Sequence, residues 1–312
     1  MSFRFRPSES VQANVRRMAR DRLDDAIDDL RAAARGEDLH GNVHEARKRG
    51  KHVRSLTRLV RASAPELHDE VNAAVRDAAR LLSDLRDREA VVETLDDLVE
   101  HEAADEVASA ASAVRPHLVA CRDDGARTAE PDVEEALVRF VDVREGVGDW
   151  AVPEGVEALA GGFAKTYRRA RKRYEEVHAD ATTALLHEWR KRVKYHRYHL
   201  RMLEPVWPAG FGARLDEVHH LSDLLGDDHD LAVLRGVLEA HGDVDPAEGR
   251  TLVTVLDRRR AELQQAALPL GARLFATDDD AMVDLLVSCW HAWTAEAAAP
   301  DLPRALALAP AD

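Results

Sequence analysis

Apolar residues recur at spacings of three and four through most of the chain, and no run alternates apolar and polar residues as a half-buried strand would. This pattern predicts an all-α protein. Stop signals formed by Gly and Pro divide it into predicted helices. These helices span 8–35, 43–62, 66–85, 87–122, 130–146, 154–181, 183–204, 210–225, 229–241, 246–275 and 279–298. Functional residues should therefore lie on helix faces.

One segment near the middle of the 312 residues suggests a boundary. Residues 146–153, GVGDWAVP, collect Gly and Pro, which interrupt helices. We therefore predict two helical halves, 1–148 and 149–298. The remaining segment, 299–312, is rich in Ala and Pro and is predicted to be a disordered tail.

The most informative pattern is an internal repeat of a basic helix. Residues 44–61 and 187–204 read HEARKRGKHVRSLTRLVR and HEWRKRVKYHRYHLRMLE, and eight of these 18 positions are identical. The shared residues carry charge, so the repeat preserves polar rather than apolar positions. The offset of 143 residues continues downstream, where Pro65 matches Pro208 and Asp87 matches Asp230. This register predicts two copies of one helical unit, packed about a pseudo-twofold axis.

The repeated cations share one face of each helix. In the first copy they are spaced by three and four residues at His44, Arg47, Lys51, Arg54 and Arg58, which we name the first basic stripe. The second basic stripe, His187, Arg190, Lys194, Arg197 and Arg201, has the same spacing. Like charges four residues apart destabilise a helix by roughly a few tenths of a kcal/mol. Such rows are costly without an anionic partner, so the stripes are predicted to line a shared basic groove.

The charge distribution narrows the class of partner. The net charge is −14, whereas general nucleic-acid binders usually carry a basic surface. All six lysines lie within 43–61, 164–173 or 187–204, so positive charge is concentrated in a few segments. No apolar run has the length of a membrane span or the form of a signal peptide. We expect a cytoplasmic protein that does not bind membranes, and the charge disfavours nucleic acid as its partner.

The two basic helices and the segments that follow them match a known pattern. HEARKRGKHVR and HEWRKRVKYHRY are each followed by an Asp-bearing segment, LRDREAVV and LGDDHDLAVL. This arrangement resembles the CHAD family, the conserved histidine α-helical domain, over roughly residues 10–298. The resemblance implies two four-helix-type bundles with a basic groove that binds inorganic polyphosphate, and an association with polyphosphate granules. Members are often joined to a triphosphate-handling CYTH domain, and this chain is expected to be a stand-alone member.

The predicted site combines both stripes with a weaker repeat before them. Arg binds phosphate oxygens as a bidentate fork and Lys acts as a mobile point charge, which suits a flexible polyanion. A second Arg-rich segment, 167–173, matches the region of Arg17 and Arg20 at an offset of 151. The predicted polyphosphate-binding residues are His44, Arg47, Lys48, Lys51, Arg54, Arg58, His187, Arg190, Lys191, Lys194, Arg197, Arg201, Arg17, Arg20, Arg168 and Arg171.

Several interpretations stay open at this point. The stripes could be solvated faces paired to local acids, and His44 and His187 could fix helix packing instead of donating to phosphate. The run Asp227–Asp230 follows Gly226 and is predicted to be a helix N-cap with acids in the first turn. Its alternatives are support of the basic helix from behind and a divalent-metal site.

The sequence offers little for catalysis. It contains no Walker A motif, nucleophile elbow, HExxH motif or distinct carboxylate pair. We therefore predict binding of polyphosphate or another phosphate-rich polyanion without catalysis, and without cofactor or metal. The alternatives are a metal-assisted polyphosphate or triphosphate hydrolase that uses Asp227–Asp230, and a scaffold that binds RNA or nucleotides through the same cations.

Overall fold

The computed structural model describes residues 3–240 and 246–298, with side chains at 3–240 and 248–298. Every regular element in these residues is helical, which confirms the all-α class. In chain order, α1 to α11 span Val11–Ala34, Leu39–Val60, Pro65–Leu81, Ser83–Glu102, Asp105–Arg127, Glu130–Gly146, Glu157–Ala179, Thr183–Leu203, Pro208–Ala240, Pro246–Leu274 and Asp279–Ala298. Short 3₁₀ turns follow α6 and α8. The predicted tail at 299–312 lies outside the described residues.

The helix predicted at 87–122 is two helices in the structure. α4 ends at Glu102, and Ala103 then adopts a left-handed backbone conformation with a φ of 47°. The carboxylates of Asp105 and Glu106 lie in the first turn of α5, where the positive end of the helix dipole favours them. The prediction was wrong because neither Gly nor Pro marks this turn. The packing of α4 against α5 decides it.

One continuous helix, α9, replaces the two predicted around Gly226. Leu225 before the glycine and Leu231 and Leu234 after it are buried, so one apolar face continues across it. Gly in a helix interior costs roughly 1 kcal/mol relative to Ala, which is less than the burial of several leucines contributes. The N-cap predicted at Asp227–Asp230 was wrong, because these residues lie inside α9.

Buried apolar side chains form two clusters, and each draws on both predicted halves. The larger cluster joins α1, α2, α3 and α6 to α7, α8 and α11 and to parts of α9 and α10. The smaller cluster joins α4 and α5 to α9 and α10. The proposed boundary between 148 and 149 therefore does not separate two hydrophobic cores, and the division into halves stays a prediction.

α2 and α8 bury corresponding faces. Val43 and Leu59 are buried in α2, and the residues 143 positions later, Leu186 and Met202, are buried in α8. These positions lie directly before and directly after the two basic stripes. The burial of one face of each helix leaves its cations on the opposite side, where they can meet a ligand.

Candidate functional site

α2 and α8 cross in the interior of the protein at Ser55 and His199. His199 donates from Nε2 to the carbonyl oxygen of Ser55 at 3.0 Å, and both residues are fully buried. Beside this contact, the rings of His52 and Tyr198 meet edge-on with their centroids 4.7 Å apart. The crossing brings the charged faces of the two helices to one cavity.

This basic cavity has a volume of about 590 Å³, and four helices form its walls. α2 and α8 contribute most of the lining, while α4 and α9 complete it. Its charged, histidine and tyrosine residues are His44, Arg47, Lys51, Arg54, Arg58, Arg86, Asp87, His187, Arg190, Lys191, Arg192, Lys194, Tyr195, Tyr198, His229 and Asp230. Nine Lys and Arg side chains thus share the cavity with two carboxylates.

Nine of the sixteen predicted site residues line the basic cavity. The first half of the chain contributes His44, Arg47, Lys51, Arg54 and Arg58, and the second half contributes His187, Arg190, Lys191 and Lys194. Segments that are far apart in the sequence therefore line one cavity. The prediction of a shared groove requires these segments to lie close together in this way.

Lys48, Arg197 and Arg201 do not line the basic cavity. Lys48 is exposed, and its ammonium group donates to the carboxylate of Glu45 at 2.9 Å. Arg197 lies 3.4 Å from the carboxylate of Asp223, and Arg201 is exposed. The charged face of each helix is wider than the cavity. Cations at the edge of this face therefore contact residues outside the cavity or solvent.

The arginines predicted from the weaker repeat also lie outside the cavity. Arg17 forms an ion pair of 2.7 Å with a glutamate of the N-terminal segment, and Arg20 is half-buried in α1. Arg168 donates from Nε to the carboxylate of Asp279 at 2.6 Å. Arg171 lies 3.8 Å from the same carboxylate. Acids therefore pair with Arg17, Arg168 and Arg171, as the solvated-face interpretation describes.

The prediction missed three basic residues of the cavity, Arg86, Arg192 and His229. Arg86 and His229 stand directly before the matched aspartates Asp87 and Asp230, so the Asp-bearing segments held a usable signal. Arg192 is identical to Arg49 in the first copy but lies outside the basic stripe, and Arg49 forms an ion pair with α1 instead of lining the cavity.

An aspartate contacts each basic stripe. Asp87 lies 4.0 Å from the guanidinium of Arg47, and Asp230 lies 3.7 Å from that of Arg190. Arg47 is fixed further, since it donates to the hydroxyl of Ser83 at 2.8 Å and to a carbonyl oxygen of α3 at 2.5 Å. For Asp230 the geometry thus matches the open interpretation that an acid supports the basic helix.

The central lysines lie in a strongly positive environment. Burial, followed by the charges of Lys194, Arg47 and Arg190, lowers the pKa of Lys51 to about 7. Burial, followed by the charges of Arg190 and Arg197, lowers the pKa of Lys194 to about 8 against the opposing carboxylates of α9. A nearby anion would favour the charged form of both groups.

Histidines line the margin of the basic cavity. The Nδ1 atoms of His187 and His229 are 3.1 Å apart, so one ring donates and the other accepts. Burial and the charge of Arg190 lower the pKa of His229 to about 3. Burial also lowers the pKa of His44 and of His187. These rings are therefore neutral at pH 7 and can donate a hydrogen bond without adding charge.

The acidic run of α9 also borders a second, smaller cavity. Asp227 and Asp230 line a space of about 250 Å³ together with Asp97 and His101. Within the described residues, no group of three or more His, Cys, Asp or Glu side chains is placed to hold a metal ion.

None of the described helices combines the length and apolar character needed to cross a membrane.

Two solved structures resemble this fold. PptA from Streptomyces chartreusis superposes with a TM-score of 0.57 and 13% identity, over 86% of this chain and 100% of that chain. The CHAD domain from the plant Ricinus communis superposes with a TM-score of 0.60 and 17% identity, over 94% of this chain and 95% of that chain. At these identities the likeness concerns the fold. No curated protein matches the sequence.

The family model of the CHAD domain matches residues 7–239, which is most of the chain. The match includes both basic stripes and both Asp-bearing segments, and each of these four segments contributes side chains to the basic cavity. Sequence and fold therefore agree, and the chain belongs to the CHAD domain family.

Proposed function

We propose that this protein binds inorganic polyphosphate in the basic cavity and does not hydrolyse it. The observation that carries the proposal is the collection of nine Lys and Arg side chains around two carboxylates, in a protein with a net charge of −14. Acids are abundant elsewhere in the chain. Five of the nine cations form ion pairs, whereas Lys51, Arg54, Arg58 and Lys194 form none within the described residues. These four repel one another, so an anion that enters the cavity stabilises the arrangement.

The environment of Lys51 gives the most direct support for a bound anion. The charges that act on it most strongly belong to Lys194, Arg47, Arg190 and Arg86, all of which are cations. A phosphate chain beside Lys51 would oppose this repulsion and restore the ammonium charge. The surrounding arginines can bind phosphate oxygens through paired hydrogen bonds.

The shape of the cation array favours a chain of phosphates over a single phosphate. From His44 to Arg58 the first basic stripe extends over 14 residues of α2, which corresponds to about 21 Å of helix. Aromatic side chains that could stack on nucleobases are poorly available, which disfavours RNA. Tyr198 is 3% exposed, and the guanidinium of Arg58 covers one face of Tyr195 at 4.0 Å.

Family membership supports the same ligand, since the CHAD family is associated with polyphosphate. The proposal places the protein in the cytoplasm, in association with polyphosphate granules. A fluorescent fusion should then collect at granules in cells that contain them. A fusion that stays diffuse in such cells would contradict the granule association.

The decisive experiment removes the charge of the two central lysines. The double variant Lys51→Met with Lys194→Met keeps the unbranched chains and removes both ammonium groups. Calorimetric titration with size-fractionated polyphosphate should show binding weaker by at least about tenfold, since a hydrogen bond to a charged group contributes about 1.5–3 kcal/mol.

A matched control removes two cations elsewhere. Arg115 and Arg127 are exposed on α5, which packs mainly against α4 and α10. Arg115→Ala with Arg127→Ala changes the net charge equally and should bind polyphosphate as the unmodified protein does. Equal losses in the two double variants would indicate general attraction and overturn the assignment to the basic cavity.

The same titrations test the alternatives. Phosphate release measured in the same tube should stay at background with and without Mg²⁺. Release that requires Mg²⁺ and disappears in Asp230→Ala would replace the proposal with a hydrolase. Long-chain polyphosphate should displace RNA more readily than RNA displaces polyphosphate, and the opposite order would favour an RNA scaffold.

A further inference from the structure

A second group of cations lies where α7 crosses the end of α2. Gly162 of α7 permits the crossing, because a Cβ atom at this position would collide with the carbonyl oxygen of Leu59. Ser63 stabilises the same contact by donating from Oγ to the carbonyl oxygen of Ala158 at 2.9 Å. The backbone of α7 therefore packs directly on α2, and side chains one and two turns further along α7 lie near the end of the first basic stripe.

These side chains are Lys165 and Arg169, which are spaced by four residues on one face of α7 and are exposed. Both interact electrostatically with Arg61, the C-cap residue directly after α2, which is 8% exposed. We name Arg61, Lys165 and Arg169 the crossing cluster. Arg58 and Arg192 line the basic cavity and also act on Arg61. The crossing cluster thus continues the positive charge of the cavity toward the surface.

Few acids oppose the charge of the crossing cluster. The charges that act on Arg61 come from arginines, Arg58 and Arg169 among them, and together with burial they lower its pKa to about 10. The pKa of Lys165 is lowered mainly by Arg61 and Arg169, with Asp69 as the opposing acid. The cations of the cluster therefore act chiefly on one another.

The other face of α7 shows the contrast. There, Arg168 and Arg171 pair with the carboxylate of Asp279. By comparison, the buried Nε atom of Arg61 makes no hydrogen bond to the described residues, and its Nη2 atom donates to the hydroxyl of Thr166 at 3.4 Å. Asp279 thus neutralises one basic face of α7, whereas Lys165 and Arg169 on the other face form no ion pair within the described residues and can still bind an anion.

We propose that a polyphosphate chain longer than the basic cavity leaves it between Arg58 and Arg192 and continues over the crossing cluster, which forms a second anion site. This site rests on the proposed function, because it extends the path of the same ligand. Lys51 and Arg61 are ten residues apart on α2, which corresponds to about 15 Å. A triphosphate held at Lys51 therefore stays within the cavity, whereas a long chain reaches the crossing cluster.

The test is the double variant Lys165→Ala with Arg169→Ala. Both side chains are exposed, and Ala is favourable in a helix, so the fold should be retained. Triphosphate and a polyphosphate of several tens of units are titrated separately. We expect unchanged affinity for triphosphate and about tenfold weaker affinity for the long chain, whose log–log dependence on salt should lose a slope of about 2. The Arg115→Ala with Arg127→Ala control should change neither affinity.

The outcomes separate the second site from the first. Unchanged long-chain affinity in the Lys165 and Arg169 variant would overturn the second site and leave the cavity proposal standing. An equal loss for triphosphate would also overturn it, because the crossing cluster would then act within the cavity site. If the unmodified protein binds neither ligand, the proposed function itself fails.

Discussion

α2 and α8 carry matching basic stripes, but the neighbouring helices α3 and α9 provide different partners for the arginines of the two stripes. Arg54 of α2 donates from Nε to the amide oxygen of Asn72 at 3.0 Å, which is a neutral partner. Its counterpart in α8, Arg197, lies 3.4 Å from the carboxylate of Asp223 and does not line the basic cavity. α3 thus leaves the charge of α2 available, whereas α9 neutralises part of the charge of α8.

The central lysines show the same difference. The charges acting most strongly on Lys51 are all positive, and its pKa is about 7. Lys194 also interacts with Asp230 and Asp223, and its pKa is about 8. The repeated sequence therefore determines the positions of the cations on α2 and α8. The neighbouring helices determine how much of the positive charge is neutralised by carboxylates. We infer that α2 is the stronger half of the anion site.

Charge reversal should separate the stripes most strongly. Arg54→Glu introduces a carboxylate into the basic cavity and should weaken polyphosphate binding by about a hundredfold, because it removes a charged contact and adds repulsion. Arg197→Glu makes the same change beside Asp223, outside the cavity, and should weaken binding by about tenfold or less. Titration of both variants with one polyphosphate preparation measures the ratio. Equal losses would mean that the stripes contribute equally.

The two arginines that contact aspartates should differ in their effect on stability. Arg47 donates to Ser83 and to a backbone carbonyl of α3, whereas Arg190 meets Asp230 at 3.7 Å. Arg47→Ala should lower the free energy of unfolding by about 1–3 kcal/mol, because it leaves buried acceptors unpaired. Arg190→Ala should lower it by less than about 1 kcal/mol. Urea denaturation checks both values, and a larger loss for Arg190→Ala would reverse the comparison.

Binding should also take up protons near neutral pH. In the free protein the pKa values of Lys51 and Lys194 are about 7 and about 8, and a bound polyanion raises both because it favours the ammonium form. Affinity should therefore fall as the pH rises from about 7 to about 9. By the same linkage, the free protein gains stability over this range, since the unfolded lysines bind more protons.

Calorimetry at pH 8 in two buffers of different ionisation enthalpy measures this proton uptake. Lys51→Met should remove more of the uptake than Lys194→Met, because Lys51 is the more fully deprotonated of the two before binding. Binding without proton uptake would show that the two lysines are already charged in the free protein. The difference assigned to α2 and α8 would then disappear.

Lys48→Ala should have the smallest effect. The side chain is exposed and paired with Glu45, and exposed ion pairs contribute little, so polyphosphate affinity should change by less than about twofold. A strong loss in the same titration would mean that the anion path leaves the cavity along the first turns of α2 instead of toward the crossing cluster.

Helix boundaries could be predicted where single residues enforce them. α3 and α9 begin at Pro65 and Pro208, within two residues of the predicted starts at 66 and 210, since Pro ends the preceding helix and fits the first turn of the next one. The turn at Ala103 and the continuous helix through Gly226 could not be predicted, because packing against other helices outweighs weak local preferences there. The N-cap interpretation of Asp227–Asp230 failed for the same reason.

The sequence by itself determined which cations share a helix face, because a spacing of three and four places them there without reference to the rest of the chain. Only the tertiary structure decided which of them meet. α3 and α9 place different partners beside Arg54 and Arg197, and α11 places Asp279 beside Arg168. An ion pair depends on a distance of a few ångströms between residues far apart in the sequence, and local periodicity carries no information about that distance.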